Sequence, residues 1–449
     1  MRDSCGKDRD DGRGGHQRGG ASGGILKGTI KMKILWLCNI ILPDFCECFD
    51  LNKTMAGGWI SGMLQELEKR EDMQIALCFP IIDENRVKQG RFHGHQFFSF
   101  QCDLYSDDYI YADENLIIQM QKIVSDYEPD IIHIWGTEYP HTYGMVEACK
   151  REGLLNRVVI NIQGLVSIYS KHFLLGIPQR YITKMDVEGT SLAQKKNLFV
   201  KRGILETKAI KNVKYVIGRT EWDRACTYWI NPQIHYFFGG EILRSVFYEN
   251  CGSWKEESCR RHMIFVSQGD YSIKGMHFLL EGCKLLRQKY ADLQIIVAGR
   301  DIFCAGELTT YAQLLKELMR EGDLEGHVQF VGKKDESQMC QYYQQANVFV
   351  MPSVIENSPN SLCEALMTGV PVVAANVGGI SSIIRHGKEG FLYQSDAPYM
   401  MAYYIDLIFA RKIDIELLKV NEVNRAMEFN SVYKCSEQTM AAYHIIEKG

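Results

Sequence analysis

From Met32 onward the chain alternates between short, unbroken apolar runs and longer stretches in which apolar positions return every three or four residues. KILWLCNI, QIALCFPI, DIIHIWG, VVINIQG and VKYVIG are runs of the first kind, and their Val/Ile/Leu content predicts strands buried on both faces. AGGWISGMLQELEKR, LIIQMQKIVSDYEP and MVEACKREG separate them and predict amphipathic helices. Alternation of this kind predicts a parallel sheet with helices on both sides. A second series repeats it: HMIFVSQGD, GMHFLLEGCKLLRQKY, LQIIVAG, LLKELMREG, VQFVGK, ESQMCQYYQQA, VFVMPS and PVVAA. Two α/β domains are therefore expected, at 32–245 and 262–428, with the polar, aperiodic stretch 246–261 as a linker and 429–449 as a closing helix.

Composition narrows this picture only a little. A chain of 449 residues with 46% hydrophobic and 24% charged residues has room for two such cores. A net charge of -4 and a pI near 6.3 give no general pull toward nucleic acid. The 15 cysteines are scattered and no signal-peptide pattern is present, which places the expected location in a reducing cytoplasm. Cys46 and Cys48 are too close together for ordinary zinc chelation. No apolar run reaches the roughly 20 residues of a membrane span. Residues 1–31 hold nine glycines and little that is apolar, so they are expected to be a disordered tail, with Met32 as the expected natural start. The D-x-D of the chain, Asp8 and Asp10, falls in that tail, so no metal site is expected.

Candidate chemistry centres on ENSPNSLCEALMTGVPVVAANVGG, Glu356 to Gly379. Ser358, Pro359, Asn360 and Ser361 predict a helix start, whose open N–H groups attract anions. Glu364 falls about one turn inside that helix, where a carboxylate can accept two hydroxyls, as a ribose diol offers. Gly378 and Gly379 are expected to open a second helix, ISSIIRHG, with bare amides near Ile380 at the same crevice. Two helix mouths and two acids suit a sugar nucleotide. In the first half, Gly57 and Gly58 either let backbone approach a ligand or form a tight turn that packs Trp59. Glu138 and His141 sit on a strand-end loop where an acceptor could dock or where polar groups merely cap a helix. The stretch 195–214 carries seven basic residues against the single acid Glu206, and reads as an anionic-membrane contact or as a solvated helix face.

Glu356, seven residues, Glu364, then GVPVVAANVGGISSII and GKEGFLY together resemble the donor-site signature of the family 4 glycosyltransferases, retaining enzymes of the GT-B fold. The resemblance implies two Rossmann-like domains with parallel sheets facing a central cleft, and a last helix that crosses back to the first domain. It implies that Lys274, followed by Gly275, holds the donor diphosphate and acts with Glu356 as the catalytic pair. Glu356 is expected on sugar hydroxyls and Glu364 on the ribose. Asn360, Ser361, Leu362, Gly378, Gly379 and Ile380 line the donor site, with Gly57 and Gly58 opposite. Two positions depart from the family: Gln268 stands where an arginine is usual, and Gln163 where a histidine contacts the donor sugar. His172, nine residues later, either reaches the cleft or is structural.

The implied reaction moves a sugar, with retention, from a nucleotide-sugar donor to a saccharide or lipid-linked acceptor. It uses no metal or other cofactor and serves bacterial surface polysaccharide or glycolipid synthesis. The implied place is the cytoplasm or the inner face of the plasma membrane. The alternative suggested by Gln163 and Gln268 is a GT-B subunit that binds without turnover. A nucleotide-sugar epimerase shares the architecture but none of its acid/base pairing is seen.

Overall fold

The computed structural model describes residues 31–52, 57–82, 88–104, 109–187, 189–304 and 308–449; Asp8, Asp10 and the expected disordered tail lie outside them. In the first half, β1 (Met32–Cys38), β2 (Met73–Ile81), β3 (Gln89–Phe92), β4 (His95–Gln101), β5 (Ile131–Trp135), β6 (Val158–Asn161), β7 (Tyr215–Gly218) and β8 (His235–Phe238) form one sheet. Their order is β3-β4-β2-β1-β5-β6-β7-β8. All pairings are parallel but β3 with β4. The helices are α1 (Gly58–Leu67), α2 (Glu114–Tyr127), α3 (Pro140–Arg151), α4 (Val166–His172), α5 (Gln179–Ile182), α6 (Leu192–Asn212) and α7 (Glu221–Ile230).

The pleat explains the continuous apolar runs. On β1, Ile34, Trp36 and Cys38 enter one core while Leu35 and Leu37 enter the other. Polar caps set several helix starts: Asp113 accepts from the Leu116 N–H at 2.8 Å, and Ser191 with Gln194 and Thr220 with Asp223 form capping boxes for α6 and α7. The β3–β4 hairpin, absent from the sequence reading, turns on His93 and Gly94, both at positive φ (48° and 83°), the geometry of a tight two-residue turn.

The second half repeats the plan: β9 (Met263–Val266), β10 (Gln294–Val297), β11 (Val328–Phe330), β12 (Val348–Met351), β13 (Val372–Ala375) and β14 (Phe391–Tyr393) form an all-parallel sheet ordered β11-β10-β9-β12-β13-β14. Ile264 and Val266 face one core, Met263 and Phe265 the other. The remaining helices are α8 (Ser245–Glu249), α9 (Met276–Arg287), α10 (Thr310–Glu321), α11 (Glu336–Gln345), α12 (Asn360–Thr368), α13 (Pro398–Phe409), α14 (Ile415–Phe429) and α15 (Val432–Lys448). The expected linker is more ordered than its polarity suggests. It holds α8 and two buried anchors, Phe247 and Trp254, and the Trp254 indole donates to the Ala346 carbonyl at 2.7 Å.

The last helix, α15, returns to the first domain. Cys435, Met440, Ala442, Tyr443 and Ile446 join the core on one face of the first sheet. The Tyr443 hydroxyl accepts from the Trp36 indole at 3.0 Å and lies 2.6 Å from His133 Nδ1. In each sheet the strand order reverses beside one strand, β1 in the first and β9 in the second. Such a reversal leaves a crevice past the carboxyl ends of the strands.

Candidate functional site

The loops after β9 and β12 meet at the second of these crevices. The first ends in a single 3-10 turn, Ser272–Lys274, closed by Gly275 at φ 67°, where a Cβ would stand 1.9 Å from the Pro352 carbonyl oxygen. Only glycine fits there, and its presence sets Lys274 against the second loop. Lys274 Nζ reaches Glu356 Oε1 at 2.6 Å, and the Ser353 hydroxyl donates to the same oxygen at 2.9 Å. Burial alone would lower the Lys274 ammonium, but Glu356, Tyr271 and Asp270 outweigh it and hold Lys274 above its ordinary value, so the group is a fixed cation.

Helix α12 starts four residues after Glu356 and ends at Gly369 in the left-handed region (φ 81°). Its start carries no side-chain cap, contrary to the polar capping expected of Ser358 and Asn360. Leu362 N–H turns back to the Pro359 carbonyl at 3.1 Å, while those of Asn360 and Ser361 donate to no acceptor among the described residues. Two open N–H groups and the positive end of the dipole thus lie close to the Lys274–Glu356 pair.

The glycine pair behaves differently from the expectation. Ile380–Ser382 is one 3-10 turn, so no second helix opens there. Gly379 N–H donates to the Glu356 carbonyl at 3.0 Å and Ile380 N–H to that of Val377 at 3.1 Å, so these amides are already used. The two glycines are required by close packing: a Cβ would stand 1.9 Å from the Glu356 carbonyl oxygen at Gly378 and 2.2 Å from that of Asn357 at Gly379. They hold the Glu356 segment in place.

The first domain clasps the same segment. Thr220 Oγ1 donates to Asn357 Oδ1 at 2.7 Å, and Asn357 Nδ2 donates to Asp223 Oδ2 at 2.9 Å. Arg219 lies buried at the seam, paired with Glu241 and donating to the carbonyls of Gln163 (2.9 Å), Ile162 (3.2 Å) and Ser358 (3.3 Å). Glu241, missed in the sequence reading, is fully enclosed there. Burial raises its pKa against Arg219 and the side chains of Gln163 and Asn360.

Glu364 is buried in the second turn of α12, and its partners were not foreseen. Arg244, just before α8, gives Oε1 two bonds, 3.1 Å from Nε and 2.6 Å from Nη2, and the Tyr343 hydroxyl donates to Oε2 at 3.2 Å. Burial raises the Glu364 pKa, and Arg244 and Tyr343 oppose that. Gly57 caps α1 at φ 84°, and Gly58 leaves room for the Arg244 stem, whose Cγ would be 2.6 Å from a Cβ there. What approaches this glycine is thus an arginine of the chain itself. A cavity of about 650 Å³ lies beside it, lined by Gly58, Ser61, Arg244, Asp335 and Glu336 among others; Glu364 is not in its lining.

Across the cleft, a cavity of about 380 Å³ opens at the first crevice, between the ends of β1 and β5. Six rings line it, Trp59, Trp135, Tyr139, Tyr169, Phe199 and Tyr271, with Asn39, Glu138, Gln163 and Arg202 as the polar groups. Glu138 Oε2 accepts from its neighbour Thr137 N–H at 2.8 Å and from Asn39 Nδ2 at 3.0 Å, and burial raises its pKa. His141 stands behind this wall: Nε2 meets Asn39 Oδ1 at 2.7 Å and Nδ1 meets the Tyr109 hydroxyl at 3.2 Å. Burial pushes His141 down to about 3, so it is a neutral link that orients Asn39. His172 ends α4 and lies outside the lining of this cavity, where Gln163 is found. Gln268 follows β9, next to Gly299.

The basic stretch forms most of α6, and its charges separate into two groups. Lys195 pairs with Asp186 at 3.1 Å, and Arg202 lies over the Tyr139 ring at 5.1 Å. Lys201, Lys208 and Lys211 are exposed on the outer face with Val200 and Ile204. The lone acid, Glu206, is buried against the Val166 and Ser167 N–H groups (3.0 and 2.9 Å) and the Thr137 hydroxyl (2.7 Å), and burial pushes it up to about 7. It holds the start of α4 against the loop of Glu138. No described helix is long and apolar enough to cross a membrane, and among the described residues no group of three His, Cys, Asp or Glu could hold a metal ion.

Comparison with known proteins matches residues 260–410 to the family model described as glycosyl transferases group 1. The amylovoran biosynthesis glycosyltransferase AmsK of Erwinia amylovora is 30% identical over 141 residues, 30% of this chain and 33% of that one. The phosphatidyl-myo-inositol mannosyltransferase of Mycolicibacterium smegmatis is 28% identical over 193 residues, 41% and 45% of the two chains. The chain thus spans between a third and a half of the length of these two relatives. Among solved structures, the sucrose-phosphate synthase of Thermosynechococcus elongatus superposes with a TM-score of 0.66 at 14% identity, over 93% of this chain and 99% of that one. Anabaena HepE, solved with UDP-glucose, gives 0.63 at 16% identity over 92% and 100%. At such identities the likeness is one of fold, and that fold is GT-B. Residues 260–410 therefore form a glycosyl transferase domain of group 1, carried by a chain whose two halves together have the GT-B fold.

Proposed function

We propose that the chain is a retaining glycosyltransferase that moves a sugar from a nucleotide-sugar donor to an acceptor hydroxyl. The observation that carries this reading is the fixed cation Lys274 against Glu356, close to the uncapped start of α12 and facing the first domain. Departure of a nucleoside diphosphate develops negative charge on the leaving oxygen and positive character on the sugar, and charge stabilisation is the larger part of such catalysis. Lys274 and the N–H groups of Asn360 and Ser361 take the diphosphate, a compact charge meeting phosphate oxygens. Gly379 and Ile380 act by packing, since their amides are engaged. Glu356 takes sugar hydroxyls, Glu364 the ribose, and the departing phosphate accepts the proton of the attacking hydroxyl on the same face. No resident metal enters this scheme.

The ring-lined cavity at Glu138 suits a saccharide acceptor, because the apolar face of a pyranose stacks on aromatic rings while Glu138 and Gln163 bond its hydroxyls. The relative AmsK is named for amylovoran biosynthesis, which supports a role in bacterial surface polysaccharide or glycolipid synthesis. The outer face of α6 supports contact with an anionic membrane, where a lipid-linked acceptor would be met. The second reading, a binding subunit without turnover, rests on Gln163 and Gln268, which leave the site one cation and one imidazole short.

The test is release of nucleotide from a panel of UDP-, GDP- and ADP-sugars by the full chain, with the anomeric configuration of the product read by NMR. Release from one donor class with retention is the expected result. Binding without release supports the second reading, and no binding of any donor rejects both.

A further inference from the structure

We infer that Arg244 is a positioning residue of the donor site, holding Glu364 ionised and aimed at the ribose and tying that carboxylate to the first domain. The inference rests on the nucleotide-sugar reading above and extends it to a residue outside every motif that pointed there. Arg244 directs Nε and Nη2 at the same oxygen, Oε1, at 3.1 and 2.6 Å. Among the described residues Oε2 meets only the Tyr343 hydroxyl, at 3.2 Å, and that hydroxyl is shared with the Ser361 carbonyl at 3.0 Å. A carboxylate offers about four acceptor positions, so this arrangement leaves capacity for one hydroxyl on the face Arg244 does not cover and makes the acid an acceptor rather than a donor.

Three parts of the chain meet in this contact. Arg244 stands between β8 and α8 at the end of the first domain, Glu364 belongs to the second domain, and the Arg244 stem crosses the first turn of α1 at Gly58, where a Cβ would lie 2.6 Å from its Cγ. Arg244 also lies over the Phe247 ring at 5.1 Å, which fixes its path. A shift of α1 relative to α12 therefore moves the guanidinium that aims the ribose acid. The groups facing Glu364 are Arg244 from the stretch before α8, Tyr343, Cys340 and Glu336 from α11, and Cys363 on its own helix. Arg244 is the only cation in this set, and burial pushes Glu364 toward its neutral form once Arg244 is removed.

The test measures calorimetric affinity for UDP, GDP and ADP and for their 2′-deoxy forms, between pH 6 and 9, in the full-length wild type and in Arg244→Gln, Arg244→Lys and Gly58→Ala. Wild type is expected to bind one of the three with little pH dependence and to disfavour its 2′-deoxy form about tenfold, near the 1.4 kcal/mol of a decade. Arg244→Gln is expected to bind at least about tenfold more weakly at pH 6.5, to recover as pH rises and Glu364 ionises, and to lose the preference for the 2′-hydroxyl. Arg244→Lys restores much of the affinity. Gly58→Ala, which changes no charge, moves in the same direction by displacing the stem, and keeps the test open if Arg244→Gln fails to fold. A uniform loss in Arg244→Gln with flat pH dependence and intact 2′ preference, or unchanged affinity in both Arg244→Gln and Gly58→Ala, overturns the inference. A wild type that binds none of the three removes the reading beneath it and the inference together, an outcome distinct from a difference between variants.

Discussion

Replacing Lys274 with methionine removes the cation of the site while keeping most of the volume of its stem. Glu356 then keeps the Ser353 hydroxyl as a partner for Oε1 and loses its counter-ion in surroundings where the two side chains are 18% and 10% exposed. Breaking a buried pair costs about 3–5 kcal/mol, and this residual exposure puts Lys274→Met near the lower end, about 3 kcal/mol. Catalysis should lose a comparable amount. One preorganised group facing developing charge contributes about 2.7–4 kcal/mol, so kcat should fall by about 100- to 1,000-fold. The double variant Lys274→Met/Glu356→Gln separates the two effects, because the uncompensated carboxylate is gone. Its urea midpoint should return toward wild type, to within about 1 kcal/mol, since a buried pair replaced as a unit is often neutral. Its turnover should stay as low as that of the single variant. Urea unfolding followed by tryptophan fluorescence reads the first quantity, and nucleotide release from the donor found in the panel reads the second. Turnover of Lys274→Met within threefold of wild type, or turnover that recovers along with stability in the double variant, would show that the pair only holds the fold.

Other perturbations test separate parts of the structure. Glu364→Ala should weaken nucleoside diphosphate binding by about tenfold or more, at 1.4 kcal/mol per decade, and equal affinity by calorimetry refutes its role. Tyr443→Phe strips the Trp36 indole and His133 Nδ1 of their buried partner and should cost about 2 kcal/mol in urea unfolding; an unmoved midpoint argues against α15 as a tether. His133 and His141 are pushed down to about 3 and His277 to about 4, so each is neutral when folded and binds a proton once unfolded. Stability from these groups is full above about pH 6.5 and falls below it by up to about 1.4 kcal/mol per pH unit for each; a constant urea midpoint between pH 7.5 and 5 contradicts this. Changing Lys201, Lys208 and Lys211 to serine should abolish pelleting with anionic vesicles, and pelleting that persists rejects the membrane contact of α6.

Much of the architecture could be read in advance because β1, β5, β9 and β12 are buried on both faces, and a strand in that position must be apolar at every residue. β8 left no such trace: it is an edge strand with His235 and Phe238 exposed, and no run marks it. The joining segment misled for a related reason. Phe247 and Trp254 anchor it as isolated large residues among polar ones, without a period. At the site, Glu356, Glu364 and Lys274 stand beside glycines and a helix start that make a local pattern. Arg244 has no such context, since its position depends on Gly58 and Glu364, both remote in sequence. Gly378 and Gly379 were legible as a special backbone position, but their cause was not. The clash that excludes a side chain comes from the carbonyls of Glu356 and Asn357, a contact that exists only once the chain has folded.

The seam between the domains is built from two kinds of contact with different consequences. Around Glu356 it is polar: Thr220 and Asp223 meet the Asn357 side chain, Arg219 meets the Ser358 carbonyl, and Glu221 N–H meets Ser382 Oγ at 3.1 Å. Each such bond exchanges with water at a net cost of about 0.5–1.5 kcal/mol. At the other end α15 buries Met440, Tyr443 and Ile446 in the first core, at about 1.5–3 kcal/mol for each large side chain, with no compensating partner in water. Any opening of the cleft would therefore break the first set while the second holds. The Arg244–Glu364 contact and the bond from Asn430 Nδ2 to the Glu241 carbonyl at 3.0 Å stand at the two places where the chain passes between the domains.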